Sequence, residues 1–275
     1  MEKDYHFRQI PRSRIATFDT FAAGMLRHHV SALLQFDVTE SRKELRDLRR
    51  KGVRISFNAW LVKVISSVLE HHPEASAFLY NKHKLIVFND INISVLIEKN
   101  INGQKVPIPY LVKKTNHKSA QEISAELDDA KNRNITPADI TLHRRASLYE
   151  RMYYHLPVLL RRSFWKILLR NPRIAFNKMG NAVITSVGTI GVLDGWFIHR
   201  SVHPISFGIG SILKKPTVVE NEIQIREILH ITVLIDHDVI DGAPMVRLLN
   251  ALTRSLESGD FLETPNPQNT HPHLQ

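Results

Sequence analysis

The residues best placed to do chemistry are His237-Asp238-Val239-Ile240-Asp241-Gly242. A long run rich in β-branched residues, Ile223 to Ile235, precedes them and reads as a strand. A helix is expected from Asp241 or Gly242 through about Glu257. Strand ends that lead into turns can expose a polar side chain and hold it rigidly. A histidine there, with an unperturbed pKa of about 6.5, is suited to take a proton near neutral pH. Asp241 could fix the turn or pair with a cation, and Gly242 would permit a tight or left-handed backbone. The bland alternative is a chance histidine beside a helix-capping aspartate. With 15 histidines in the chain, the six-residue pattern alone is only moderately specific. Its position between strand and helix raises that.

Other constellations carry less. His199 and His203 have i, i+4 spacing but fall in an apparent loop near Pro204, with no third ligand indicated, so no metal is expected. The neighbours in His28-His29 and His71-His72 would point to different faces of a helix. Gly208-x-Gly210 lacks the later glycine and helix of a dinucleotide loop. There is no Gly-x-Ser-x-Gly elbow, and cysteine is absent, which removes disulfides and any thiol nucleophile. Thr185 and Ser186, taken alone, are ordinary strand residues.

The elements that must position His237 follow from periodicity. Residues 14–28 read as a helix with Ile15, Phe18, Phe21, Ala22, Met25 and Leu26 near one face, and Val30 to Val38 as a strand. Ser41 and Glu44 have capping-box spacing for a helix ended by Gly52. Ser56 to His71 is a helix with Trp60, Leu61, Val64, Ile65, Val68 and Leu69 on one stripe, stopped by Pro73. A hairpin is expected around Asn81-Lys82-His83. Ile91, Ile93, Val95 and Ile97 alternate as a strand, which returns after Asn102-Gly103 as Val106 to Val112. Ser119 and Glu122 predict a capped helix to about Asn132. Asn181 to Val187 and Pro204 to Ile212 are further strands. The fold class is α+β, a mixed sheet covered by helices, in one domain spanning 1–275 with a loose tail from about 264.

The 275 residues carry a net charge of +10. Nine basic residues between Thr141 and Lys178, against Glu150 alone, account for +8 of it. Charge so concentrated argues against a nucleic-acid-coating protein and for one basic surface facing an anion. Residues 137–178 are expected to form helices in two pieces, divided near Pro157 and closed by Pro172. Leu156, Leu159, Leu160, Phe164, Trp165, Ile167, Leu168 and Leu169 alternate there with Arg161, Arg162, Lys166 and Arg170. That composition suits an interfacial helix on anionic lipid or a docking face for an acidic partner. It suits equally a helical cover with a solvated basic rim. With no apolar run of membrane-spanning length and no signal-peptide pattern, a protein that is cytoplasmic, or cytoplasmic and peripheral at the membrane, is expected.

The His-x-x-x-Asp-Gly segment resembles the signature of the catalytic acyltransferase domain of 2-oxo acid dehydrogenase complexes, a family to which chloramphenicol acetyltransferase is distantly related. The likeness extends to Asp236-His237, to Asp90-Ile91-Asn92-Ile93-Ser94-Val95, to Val106-Pro107-Ile108-Pro109, and to the helix from Ser119 to Leu127. Ile184-Thr185-Ser186-Val187-Gly188-Thr189-Ile190-Gly191 and Ile209-Gly210-Ser211-Ile212 continue it in the right order. It covers roughly residues 10–260, less the basic insert.

The resemblance implies a chloramphenicol acetyltransferase-like two-layer sandwich and coenzyme A-dependent acyl transfer between a thioester and a thiol, amine or hydroxyl. It makes His237 the general base and Thr185, in place of the family's serine, the oxyanion donor. Ser186 replaces an asparagine. Asp241 would be structural and pair with an early arginine, Arg12 or, failing that, Arg14, with Gly242 completing the turn. A homotrimer is implied, with His237 and Thr185 supplied by neighbouring copies. No lipoyl group is expected on this chain, so acyl-CoA or a separate acyl carrier would bring the acyl group. The other class of reading is a non-catalytic trimeric scaffold, or a membrane-surface or partner-binding module, that retains the fold.

Overall fold

A computed structural model describes residues 5–10, 14–81, 83–101, 104–133, 153, 155–187 and 191–262. Helix α1 (Arg14–Gly24) leads into strand β1 (His29–Asp37) and helices α2 (Thr39–Arg50) and α3 (Phe57–His71). A small hairpin follows, β2 (Phe78–Tyr80) and β3 (Lys84–Ile86), then β4 (Ile93–Ile101), β5 (Gln104–Val112) and α4 (Ala120–Asn132). Helices α5 (Val158–Arg170) and α6 (Pro172–Met179) precede β6 (Ala182–Ser186), β7 (Ile205–Val219), β8 (Glu222–Asp236) and α7 (Gly242–Glu257).

Six of these strands form one mixed sheet in the order β1-β8-β7-β6-β4-β5. The two central pairings, β7 with β6 and β6 with β4, are parallel, and the others are antiparallel. Side chains alternate faces along each strand. Leu229, Ile231, Val233 and Ile235 of β8, Ile205, Phe207 and Ile209 of β7, and Ala182 and Ile184 of β6 lie on one face. There they join Trp60 and Leu61 of α3, Ile123 and Leu127 of α4, and Leu248, Leu252 and Leu256 of α7 in the main core. The fold is thus α+β, a mixed sheet backed by helices.

Local signals account for several boundaries. Ser119 and Glu122 form the expected capping box on α4, and Ser56 caps α3 by accepting from the Ala59 amide. At α2 the capping box fails. The helix begins at Thr39, and Asp37 Oδ1 accepts from the Thr39 amide and hydroxyl. Ser41 is buried, and its hydroxyl donates to the Leu256 carbonyl of α7. A tertiary contact has claimed the residue that local spacing assigned to capping. Strand β7 also runs past Ile212 to Val219, pairing with the start of β8 through a turn in which Glu220 and Asn221 both have positive φ.

A second, smaller apolar cluster joins Ala23 of α1, Phe78 of β2, Leu168 of α5, and Ala175, Phe176 and Met179 of α6. Helix α1 reverses the expected burial. Asp19 is buried, while Phe18, Phe21, Met25 and Leu26 are exposed. Asp19 meets Arg161 of α5 at 2.7 Å, and both are nearly inaccessible to solvent. Most of the 137–178 segment N-terminal to His155, and the tail beyond Leu262, lie outside the described residues.

Candidate active site

Strand β8 ends at Asp236, and His237 follows at once. Three anchors fix its backbone. The Asp236 amide donates to the Pro204 carbonyl at 2.9 Å, and the His237 amide donates to the His28 carbonyl at 3.0 Å. The amides of Val239 and Ile240 both donate to the Asp236 carbonyl, which closes a tight turn. The Asp236 carboxylate is buried and accepts from Arg27 Nη1 at 2.7 Å, while Ile240 is buried four residues on. Removing one member of such a buried ion pair costs about 3–5 kcal/mol, so the turn is held firmly. Between these anchors the imidazole of His237 stays half exposed, with Nδ1 3.9 Å from Asp241 Oδ1. That is too long for a hydrogen bond. Asp241 is itself almost fully exposed.

Other sequence-derived site residues fare differently. Arg12 lies outside the described residues. The arginine that serves the turn is Arg27, on Asp236. Only the pairing of β1 with β8, which sets His29 opposite Asp236, reveals it. Gly242 does not have a positive φ, and a Cβ added there would meet open space. Among the described residues nothing requires glycine at that position, contrary to the backbone reason expected for it.

Thr185 and Ser186 sit on β6 but alternate. Ser186 falls on the helix-backed face with Ile184, whereas Thr185 falls on the opposite, outer face beside Gly208. Among the described residues the Thr185 hydroxyl has no hydrogen-bond partner. Register places Thr185 level with Gly208 and Thr232. His237 lies five residues further along β8 and two strands across, so the two backbones stand about 19 Å apart within one chain. One copy of the chain does not bring them together.

The outer face around Thr185 holds polar groups that sequence reasoning passed over. The segment 195–199 crosses directly over β7. A Cβ on Gly208 would come within 2.8 Å of His199 Nδ1, and one on Gly210 within 3.1 Å of the His230 carbonyl. Gly208 therefore serves the close crossing of 195–199 and Gly210 the close approach of β8, not a phosphate loop. His199 hydrogen-bonds Ser206 through Nε2, but its Nδ1 is buried without a partner, as is Thr232 Oγ1. Burial pushes the His199 pKa down to about 4, with the nearby His29 adding to the effect, so the ring is neutral at pH 7. The available signal was in β8, where His230 and Thr232 interrupt the otherwise apolar run from Ile228 to Ile235. His203 is also neutral, with a pKa of about 4 caused by burial. Its Nε2 donates to the Met179 carbonyl at 3.1 Å. Among the described residues no group of three or more His, Asp or Glu side chains could hold a metal ion.

The structure thus presents a strand-delivered histidine on a braced turn, on a mixed sheet backed by helices. The family model for the 2-oxoacid dehydrogenases acyltransferase (catalytic domain) matches residues 20–142 and 170–263, and the chain belongs to that family. Residues 143–169 lie between the two matched stretches. The chain is 27% identical over 236 residues to the dihydrolipoyllysine-residue acetyltransferase component of pyruvate dehydrogenase complex of Acholeplasma laidlawii, covering 85% of this chain and 36% of that protein. It is 25% identical over 247 residues to the Bacillus subtilis protein of the same name, covering 85% and 46%. The chain thus spans between about a third and a half of the length of these curated relatives. Among solved structures, a probable dihydrolipoamide acetyltransferase from Listeria monocytogenes superposes with a TM-score of 0.68 at 18% identity, covering 95% and 98% of the two chains. A truncated catalytic core of the 2-oxoacid dehydrogenase multienzyme complex from Thermoplasma acidophilum gives 0.62 at 18%, covering 94% and 100%. These two likenesses establish the fold.

Proposed function

We propose that the protein transfers an acyl group between coenzyme A and a second thiol, with His237 as general base and Thr185 as oxyanion donor. The observation that carries this is the braced turn, which holds the His237 imidazole half exposed just past the end of β8 in a chain of this family. As the thiol sulfur attacks the thioester carbonyl carbon, a C–S bond forms and His237 takes the thiol proton. The carbonyl oxygen becomes an oxyanion that accepts a hydrogen bond from the Thr185 hydroxyl. Collapse breaks the original C–S bond, and the departing thiolate takes the proton back from His237. The names of the relatives suggest a dihydrolipoyl thiol as the second thiol, carried on a lysine.

The separation of Thr185 from His237 within one chain supports a site shared between copies, in a homotrimer. The β7–β8 ribbon beyond the sheet, with exposed Val218, Ile223 and Ile225, offers apolar surface for such association. Thiol release from acetyl-CoA and longer acyl-CoAs, with dihydrolipoamide as acceptor, tests the activity. His237→Ala should lower the rate by about 10²–10⁴, and Thr185→Val by about 10²–10³, with Thr185→Ser close to the parent. Co-assembling the two inactive variants in equal amounts should restore about a quarter of parental activity if each site draws on two copies. No recovery would rule out the shared site. No release with any acyl-CoA, and no effect of His237→Ala, would rule out the enzyme.

A further inference from the structure

We propose that α5 docks this protein onto an anionic lipid surface. The helix has three distinct faces. Arg161, Trp165, Leu168 and Leu169, spaced i, i+4, i+7 and i+8, are buried or half-buried against the rest of the chain. Leu160, Phe164 and Ile167, at i, i+4 and i+7, form an apolar row that is 55%, 51% and 66% exposed. Arg162, Lys166 and Arg170, at i, i+4 and i+8, form an exposed basic row roughly a third of a turn further round. No acidic residue lies on the helix.

The helix is also rigidly displayed. Arg161 Nε donates to Asp19 at 2.7 Å and Nη1 to the Leu156 carbonyl at 2.6 Å. The Tyr153 hydroxyl donates to the same Asp19 at 2.7 Å, and Trp165 Nε1 donates to the Tyr153 oxygen at 2.9 Å. The packed face is therefore occupied by its own partners, and the apolar row cannot turn inward to replace it.

An apolar row beside a basic row on one short helix is the pattern of a helix that lies in a bilayer interface. At 13 residues α5 is about 20 Å long, too short to span. A second copy docked on this helix by two-fold symmetry is a poor occupant, because Arg162, Lys166 and Arg170 would face their like. All but the last residue of α5 also falls in the stretch that the family model leaves unmatched, so a subunit contact common to the family does not explain its exposed row. An anionic headgroup layer satisfies both rows at once.

The test is vesicle flotation of the full chain with phosphatidylcholine alone and with phosphatidylcholine mixed with phosphatidylglycerol. Binding should be confined to the mixed vesicles and weaken as salt rises. Combined Leu160→Ser, Phe164→Ser and Ile167→Ser should reduce partition by about tenfold or more, since binding scales with the apolar area inserted. Combined Arg162→Glu and Lys166→Glu should do the same for the mixed vesicles. Both variants replace exposed side chains, and circular dichroism with size exclusion checks that fold and assembly persist. Equal binding to neutral vesicles, or undiminished binding of the triple serine variant, would overturn the proposal. So would a change of oligomeric state in that variant, which would make the row a contact between copies.

Discussion

Helices α3 and α5 are both amphipathic, yet they are used in opposite ways. The stripe of α3 is sealed in the main core, with Trp60, Leu61, Val64, Ile65 and Leu69 inaccessible and Trp60 Nε1 donating to the Asp260 carbonyl. The buried centre of α5 is an ion pair, Arg161 with Asp19, and three of its large apolar side chains point outward in a row. A helical period announces that a helix has an apolar face. What covers that face, and whether a charge lies at the centre of the contact, is decided by the partner.

The largest effect expected from breaking this contrast is at α3. Trp60→Ala removes a fully buried side chain and leaves the Asp260 carbonyl without its donor. It should cost about 3–5 kcal/mol, read as a lower midpoint in denaturant titration. At α5, Asp19→Ala should cost about 3 kcal/mol by leaving Arg161 buried and unpaired. Adding Arg161→Met should recover most of it, which a double-mutant cycle would measure. If Asp19→Ala proves neutral, the ionic centre of the second cluster is not a structural element.

Acid should discriminate between the regions by a somewhat smaller amount. His203, between α6 and the outer face, has a folded pKa of about 4, below its unfolded value of 6.5. The unfolded chain therefore binds that proton first as pH falls. The stability tied to the neutral ring is intact above pH 6.5, declines as pH falls toward 4, and amounts to roughly 2–3 kcal/mol. Urea midpoints measured across that range should fall in the parent and fall less in His203→Gln. The smallest change is expected at the exposed row, where Leu160→Ser alone should alter stability by no more than about 0.5 kcal/mol in thermal melts. A larger loss would show that the row is covered in the assembled protein.

Much of the frame was legible from local chemistry. The period of two marked β8, the Ser119–Glu122 pair set the start of α4, and the apolar stripe set α3, because these signals act over a few residues. His237 was legible for the same reason: a strand, a turn and a helix are consecutive in the chain. Residues whose roles depend on distant partners were not. Ser41 is bonded to α7 and does not cap α2, and Asp37 accepts from the first amide of the helix instead. Arg27 braces the turn that carries His237 only because β1 pairs with β8. His199 comes to the face that carries Thr185 and Thr232 because segment 195–199 crosses β7 at Gly208.

The sequence by itself determined the α+β elements, the family and the place of His237 between a strand and a helix, since periodicity and short spacing survive without knowledge of the fold. The tertiary structure alone decided which face of α1 and α5 is covered, and that Thr185 and His237 of one chain stand far apart. Burial and proximity depend on pairs of segments distant in sequence, and no local pattern encodes them.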